Sequence, residues 1–141
     1  MATINASINI TSDIPLSGFS LSKTMTMTKA GTVAGIENSN GLGVKKLAAT
    51  TAVVLELAAD ATASGANKLY IRNTGSNKAE HVKISFNASA SADTTTENIG
   101  KLYGGDWMLI PWEANGTTHN VIAAPSTADE VTTIEYMTFH E

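Results

Sequence analysis

Hydrophobic and polar residues alternate with a period of two along much of the chain. Residues 4–10 alternate Ile or Ala with Asn or Ser, and residues 19–28 alternate large apolar side chains with Ser and Thr, with Lys23 as the one exception on the apolar side. Successive side chains of a strand point to opposite faces, so the pattern predicts two strands, each with one apolar face. The face of the first strand that we expect to be buried carries Ile4, Ile8 and Ile10.

The same alternation predicts further strands in the rest of the chain. Residues 68–73 and 81–86 are separated by a Thr-Gly-Ser-Asn sequence, and we expect them to form a hairpin. Residues 119–123 and 131–139 add a short strand and a long one near the C-terminus. The turn residues that separate these runs predict strands joined by loops.

One segment, residues 44–59, fits two alternatives. Its Val, Leu and Ala residues have helical spacing, whereas its Thr-Thr and Val-Val pairs favour a strand. We predict a strand over residues 52–57, and the helical alternative stays open. The Gly- and Asn-rich residues 31–43 and the polar residues 87–98 predict two long loops.

Both tryptophans of the chain lie in residues 99–112, where two apolar runs flank a Gly-Gly-Asp cluster at 104–106. Glycine adopts positive φ without steric cost, so the cluster predicts a β-turn that joins two strands of one hairpin. The tryptophans are an odd number of positions apart and should project from opposite faces, one into the core and one at an edge or subunit contact. Proline lacks an N–H and belongs at a strand end or on an edge strand. The candidate interface or core residues of this hairpin are Tyr103, Asp106, Trp107, Pro111 and Trp112.

These elements predict an all-β fold. About eight or nine short strands with little or no helix are typical of an antiparallel β-sandwich with a jelly-roll-like arrangement. A chain of 141 residues suits a single domain with a real core. Residues 1–30 alternate cleanly and are separated from the rest by the loop at 31–43, so they are the candidate for an N-terminal arm that adds a strand to a neighbouring sheet.

Composition and charge exclude several classes of function. The net charge is −4, Arg72 is the sole arginine, and the lysines are scattered apart from Lys45 and Lys46. Binding to a phosphate backbone needs clustered cations, so we expect no nucleic-acid partner. The absence of cysteine excludes a disulfide framework, a thiol nucleophile and a Cys-based zinc site. No segment reaches the length of a membrane span, and the N-terminus lacks the pattern of a secretory signal.

The titratable residues form no recognisable catalytic or metal-binding motif. His81, His119 and His140 are far apart in the sequence and lack the spacing of metal ligands. Asp106 follows two glycines, and an aspartate in that position ordinarily hydrogen-bonds to its own backbone. No Gly-x-Ser-x-Gly or phosphate-loop sequence occurs. We therefore predict a protein that is not an enzyme and that uses no metal and no cofactor.

Three sequences carry a resemblance to a known family. Leu69–Thr74 (LYIRNT), Ile99–Trp112 (IGKLYGGDWMLIPW) and Glu135–Glu141 (EYMTFHE) resemble recurring motifs of small virion structural proteins from marine tailed bacteriophages, including cyanophages. The resemblance implies a β-sandwich decoration or cement protein on the outer capsid surface, with the major capsid protein as partner and no catalytic residues. Threefold positions on a shell favour a homotrimer.

The alternative is a tail, fibre or baseplate component that contacts the host surface, with a glycan as its ligand. An exposed tryptophan would supply the stacking platform for a sugar in that case. The motifs themselves concern packing and therefore do not decide between the two locations.

Overall fold

The structure is a computed structural model of the chain. Among the residues that it describes, it shows the predicted all-β architecture: eleven strands, more than the eight or nine expected, form three antiparallel sheets, and the one helical element is a single 3-10 turn at Ala58–Asp60. Two compact units are present, Met1–Glu37 and Asn38–Glu141. The described residues, to which all structural statements below refer, are 3–13, 18–48, 51–56, 58–61, 65–87, 98–114, 118–126 and 131–141.

The first unit is built on a two-stranded antiparallel ribbon. Strand β1 (Ile4–Thr11) pairs with β2 (Ser20–Met27) over their whole length, from Ile4 opposite Met27 to Thr11 opposite Ser20. Beyond β2 the chain turns back on itself, and the Ile36 amide donates to the Met27 carbonyl at 2.9 Å. Met27 and Ile36 are buried. We call β1 and β2 together the ribbon.

The ribbon corrects one prediction. The strands form as predicted, but Ile8 and Ile10 are 37% and 39% exposed, and Ile4 is half-buried. The expectation that this face is buried is therefore wrong for Ile8 and Ile10. A two-stranded sheet has no second layer of its own to cover an apolar face, so alternation alone does not produce burial.

The second unit contains the remaining strands. The ambiguous segment 44–59 holds strands and the 3-10 turn, and the strand predicted over 52–57 is observed at Val53–Glu56. The loop predicted over 31–43 is interrupted, since a short strand begins at Asn38 and another at Gly43. The strands of this unit are β3 (Asn38–Ser39), β4 (Gly43–Leu47), β5 (Val53–Glu56), β6 (Lys68–Asn73), β7 (His81–Asn87), β8 (Asn98–Tyr103), β9 (Trp107–Pro111), β10 (Asn120–Pro125) and β11 (Thr132–His140).

These strands form a β-sandwich with a jelly-roll arrangement. One sheet has the order β3-β11-β6-β9, with β4 also paired to β11, and the other has the order β5-β10-β7-β8. From β4 to β11, every connection except β7–β8 crosses from one sheet to the other. Repeated crossing of this kind, with all neighbours antiparallel, distinguishes a jelly roll from a simple meander.

Two predicted hairpins are wrong. Strand β6 pairs with β9 and β11, whereas β7 pairs with β8 and β10, so residues 68–86 span two sheets. Strands β8 and β9 likewise belong to different sheets, and the turn at 104–106 is a corner between layers. A short Gly-rich turn between two alternating runs fits either geometry, because in both cases each run buries one face. The sequence therefore located these four strands but not their partners.

The core lies between the two sheets. Leu69 and Ile71 of the five-stranded sheet and Val82 and Ile84 of the four-stranded sheet have no exposed surface. The buried cluster comprises Leu47, Leu55, Ala58, Leu69, Ile71, Val82, Ile84, Leu102, Trp112, Ala114, Val121, Ala123 and Ile134. Its members come from both sheets, so the sandwich is held by interdigitated apolar side chains.

Two sequence predictions have no outcome here. The polar loop expected over 87–98 falls almost entirely on residues 88–97, which lie outside the described part of the chain. The prediction of one domain with an arm over residues 1–30 also stays a prediction. The first compact unit extends to Glu37.

Candidate functional site

The corner at Gly104-Gly105-Asp106 fixes the start of β9. The Asn73 amide donates to the Asp106 carbonyl, and the Gly105 amide donates to the Asn73 carbonyl, each at 2.9 Å. The Asp106 carboxylate accepts a hydrogen bond from the Tyr103 amide at 2.9 Å. The side chain thus binds its own turn, as the sequence predicted. Gly105 adopts a φ of 89°, a conformation that favours glycine.

The two tryptophans have opposite environments, as predicted from their spacing. Trp112 is 2% exposed and donates its indole N–H to the His119 carbonyl at 2.8 Å. Trp107 is 50% exposed. Pro111 ends β9, which is an edge strand, and there its missing N–H interrupts no ladder.

Tyr103 does not join Trp107. It lies on β8 of the opposite sheet, with its ring centroid 5.2 Å from that of His81. Burial lowers the pKa of His81, and the nearby Lys101 and Lys83 lower it further. Of the sequence candidates, Ile4, Ile8 and Ile10 lie in the other unit, on the ribbon. The five hairpin candidates therefore do not form one site. Trp112 lies in the core, Asp106 at the corner and Tyr103 on the four-stranded sheet, whereas Trp107 and Pro111 lie on the five-stranded sheet.

Trp107 belongs instead to the outward side of the five-stranded sheet, which we call the outer face. Directly paired residues of antiparallel strands share a face. One row across the sheet consists of Val44, Glu135, Arg72 and Trp107, and the next consists of Met137, Tyr70 and Leu109. A third row consists of Ser39, Phe139, Lys68 and Pro111.

The outer face has a polar end beside Trp107. The Tyr70 hydroxyl donates to Glu135 Oε1 at 2.7 Å, and Arg72 Nη1 lies 3.5 Å from the same oxygen. Burial raises the pKa of Tyr70, and the hydrogen bond to the Glu135 carboxylate raises it further. Tyr70, Arg72, Gly105 and Trp107 line a shallow depression of about 440 Å³. The arrangement can bind a ligand through stacking on Trp107 and hydrogen bonds to Tyr70, Arg72 and Glu135.

Sequence reasoning identified Trp107 but not the neighbours that make this surface. The signal was present in part, because Tyr70 and Arg72 alternate with the buried Leu69 and Ile71. The pairing of β6 with β9 and β11, however, is what brings Tyr70, Trp107 and Met137 onto one face. No local pattern specifies that pairing.

A second polar cluster joins the two sheets of the sandwich. Asn40 donates through Nδ2 to Glu56 Oε2 at 3.0 Å, and its Oδ1 lies 3.0 Å from His140 Nε2. Burial raises the pKa of Glu56, and the nearby Asp60 adds to this effect, whereas the Asn40 hydrogen bond and His140 oppose it. The cluster links β5 with the end of β11. Its hydrogen bonds hold these two strands together through Asn40.

The described residues contain no group of three or more His, Asp or Glu side chains that could hold a metal ion. In the same residues, no helix has the length and hydrophobicity that crossing a membrane requires. No protein-family model, curated protein or solved structure gives a significant match to the chain.

Proposed function

We propose that this chain is a non-enzymatic structural protein of a bacteriophage virion. Its role is that of a decoration protein, which binds the lattice of the major capsid protein on the outer surface and stabilises the shell. The resemblance of its three motifs to virion proteins supports the class of protein. The observation that carries the proposal is the open apolar face of the ribbon.

The two sides of the ribbon differ in whether their side chains have partners within the ribbon. On the polar side, Asn5 accepts from Thr26 at 2.8 Å and Asn9 accepts from Ser22 at 2.5 Å. Ser7 and Thr24 complete this ladder, with their hydroxyl oxygens 2.9 Å apart. Three cross-strand pairs on this side are thus bonded within the ribbon.

The other side of the ribbon exposes large apolar side chains. Isolated two-stranded ribbons are marginal in water, and exposed apolar patches mark sites of protein contact. This side supports a role in which the ribbon is completed by a protein surface, in the proposed homotrimer or on the lattice. Its exposed apolar residues are Ile8, Ile10, Phe19, Leu21 and Met25, and the exposed Lys23 lies among them, opposite Ile8.

A repeating shell strengthens contacts of modest area. Each protomer of a trimer contributes one contact, and the second and third contacts form at a high effective concentration. Closed threefold symmetry matches threefold positions of a lattice. A single ribbon therefore need not bind tightly for the assembly to be retained.

The first test is the copy number in purified virions, measured by quantitative mass spectrometry against the major capsid protein. A ratio near unity is the expected result. A ratio far below unity would overturn the decoration role in favour of a tail or host-contact component, whose ligand would be a surface glycan. Absence from the particle would overturn the virion assignment altogether.

A second test removes residues 2–12, and with them β1. The expected result is loss of the oligomer in analytical ultracentrifugation while the sandwich retains its β-sheet circular dichroism. Unchanged assembly would show that the ribbon is not the contact. A chain with Thr24 replaced by Val serves as control, since it alters the polar side of the ribbon alone.

A further inference from the structure

Among the described residues, the outer face of the five-stranded sheet is a further surface that no other sheet covers. We infer that it docks the sandwich onto a different protein, whose complementary surface has an apolar centre and carboxylates at its rim. This inference rests on the proposed function, because the lattice of the capsid is the surface in question. It adds to that function the orientation of the sandwich and the chemistry of the contact.

The size of the outer face fits a protein partner. Four paired strands at about 4.8 Å spacing, followed over seven residues at about 3.3 Å each, give an area of roughly 19 by 23 Å in plan. This plan area of about 440 Å² is roughly half of the about 800 Å² that each partner buries in a specific complex. The face therefore suits one of several contacts that a repeating lattice makes at once.

The composition of the outer face is that of an interface centre. Aromatic residues, Met and Arg are enriched in protein interfaces, and Trp, Tyr and Arg dominate binding energy. The sole arginine of the chain, Arg72, lies here between Glu135 and the half-exposed Trp107. Tyr70 and Met137 form the next row.

The charge of the face indicates the partner. Its strand positions carry Lys46, Lys68 and Arg72 against the single carboxylate of Glu135, although the whole chain has a net charge of −4. Two copies placed face to face would bring like charges together, which opposes association. A partner with carboxylates around an apolar patch is complementary to this surface.

The apolar content favours a protein over a glycan. Leu109, Met137 and Phe139 contribute no hydrogen-bonding side-chain group, whereas sugar hydroxyls need such groups along their length. Tyr70, Arg72 and Glu135 bond to one another at one end, and Ser39 and Lys68 flank Phe139 in the third row. A single sugar could stack on Trp107, but most of the face would stay uncovered.

The experiment measures rebinding of the purified chain to virions from which the protein has been removed, by cosedimentation. Trp107→Ala is expected to weaken binding by at least about 30-fold, as for an interface hot spot. Tyr103→Ala is the matched control, because Tyr103 is an exposed aromatic residue on the other sheet. It should bind as the wild type does.

A charge reversal provides a second variant that leaves the core intact. Lys46 is exposed on β4, and Lys101 is exposed on β8 of the other sheet. Lys46→Glu should weaken binding by about tenfold at low salt and by less as salt rises, because a rim charge acts mainly through long-range attraction. Lys101→Glu should leave binding unchanged.

The outcomes separate the inference from the proposed function. If the wild type does not rebind, the decoration role fails and the inference fails with it. If the wild type rebinds and Trp107→Ala rebinds equally well, the inference alone is overturned. A Trp107→Ala chain that loses its own oligomeric state in ultracentrifugation would assign the face to a second copy. Loss of retention on host polysaccharide alone would assign it to a glycan, and either result overturns the inference.

Discussion

In the ribbon, Ile8 and Ile10 lie on an open face, whereas in the sandwich Ile71 and Ile84 lie between two sheets and have no exposed surface. Both regions are built from strands with the same alternation of apolar and polar residues. The difference is the presence of a second layer within the unit. Burying an Ile side chain contributes about 1.5–3 kcal/mol, so the second layer decides where the stability of this protein lies.

The largest expected effect comes from truncating matched isoleucines in the two regions. Ile71→Ala should lower the free energy of unfolding by about 2–5 kcal/mol, because it leaves a cavity between the sheets. Ile8→Ala should lower it by less than about 1 kcal/mol, because its side chain is already 37% exposed. Urea unfolding at low protein concentration measures both. Equal losses would contradict the division into a covered and an open face.

A smaller effect is expected at the corner that joins the two layers. A Cβ at Gly104 would lie 2.5 Å from the Asn77 carbonyl oxygen and 2.7 Å from that of Gly75. Gly104→Ala should therefore destabilise the sandwich by about 1–3 kcal/mol. Gly100→Ala is the control, since a Cβ there meets nothing within 4 Å, and it should stabilise by about 0.5 kcal/mol. Thermal unfolding that ranked the two variants in the opposite order would disprove the close packing of the corner.

Removing a hydrogen bond should also lower the free energy of unfolding more in the sandwich than in the ribbon, by smaller amounts. Tyr70→Phe removes the partly buried bond to Glu135 and should cost about 0.5–1.5 kcal/mol. Thr24→Val removes the exposed bond to Ser7 on the ribbon and should cost less than about 0.5 kcal/mol. Both replacements preserve the shape of the side chain, so chemical denaturation compares the bonds directly.

The smallest effect concerns pH and should be confined to the sandwich, which contains all three histidines. Burial, with the charges of Lys101 and Lys83, places the pKa of His81 below its ordinary value of 6.5. The unfolded chain therefore binds this proton more readily, so stability is complete above pH 6.5 and declines as the pH falls below it.

Replacement of His81 by Phe should flatten this decline, and removal of residues 2–12 should leave it unchanged. Urea midpoints on either side of pH 6.5 provide the measurement. The pH range of the measurement must stay above the range in which Glu56 titrates. The raised pKa of Glu56 acts in the opposite sense, because the free energy of unfolding increases in that range as the pH falls toward 4.5. A decline that persists in His81→Phe would assign the effect to another group.

The candidate site was only partly predictable, and the reason is visible at three residues. The odd spacing of Trp107 and Trp112 placed them on opposite faces, and the environment of each agrees with that prediction. Tyr70 was recognisable as the outward neighbour of two buried residues. Its position beside Trp107 follows from the pairing of β6 with β9, whose residues are more than thirty positions apart in the chain.

The sequence by itself determined the class of fold and the location of most strands, though not of β3 and β4. Alternation with a period of two is a property of the local backbone, so residues 4–10, 68–73 and 131–139 indicated strands without reference to any partner. The turn preference of Asp106 and the edge position of Pro111 are equally local, because they depend on hydrogen-bonding groups within a few residues.

Only the tertiary structure decided which strands pair and which apolar faces are covered. The runs on either side of Gly104–Asp106 satisfy their alternation equally well as a hairpin or as a corner between sheets, and the corner is chosen because it closes a core from both layers. The same choice exposes Trp107 and buries Trp112. Pairing and burial are sums over distant contacts, and no local pattern contains them.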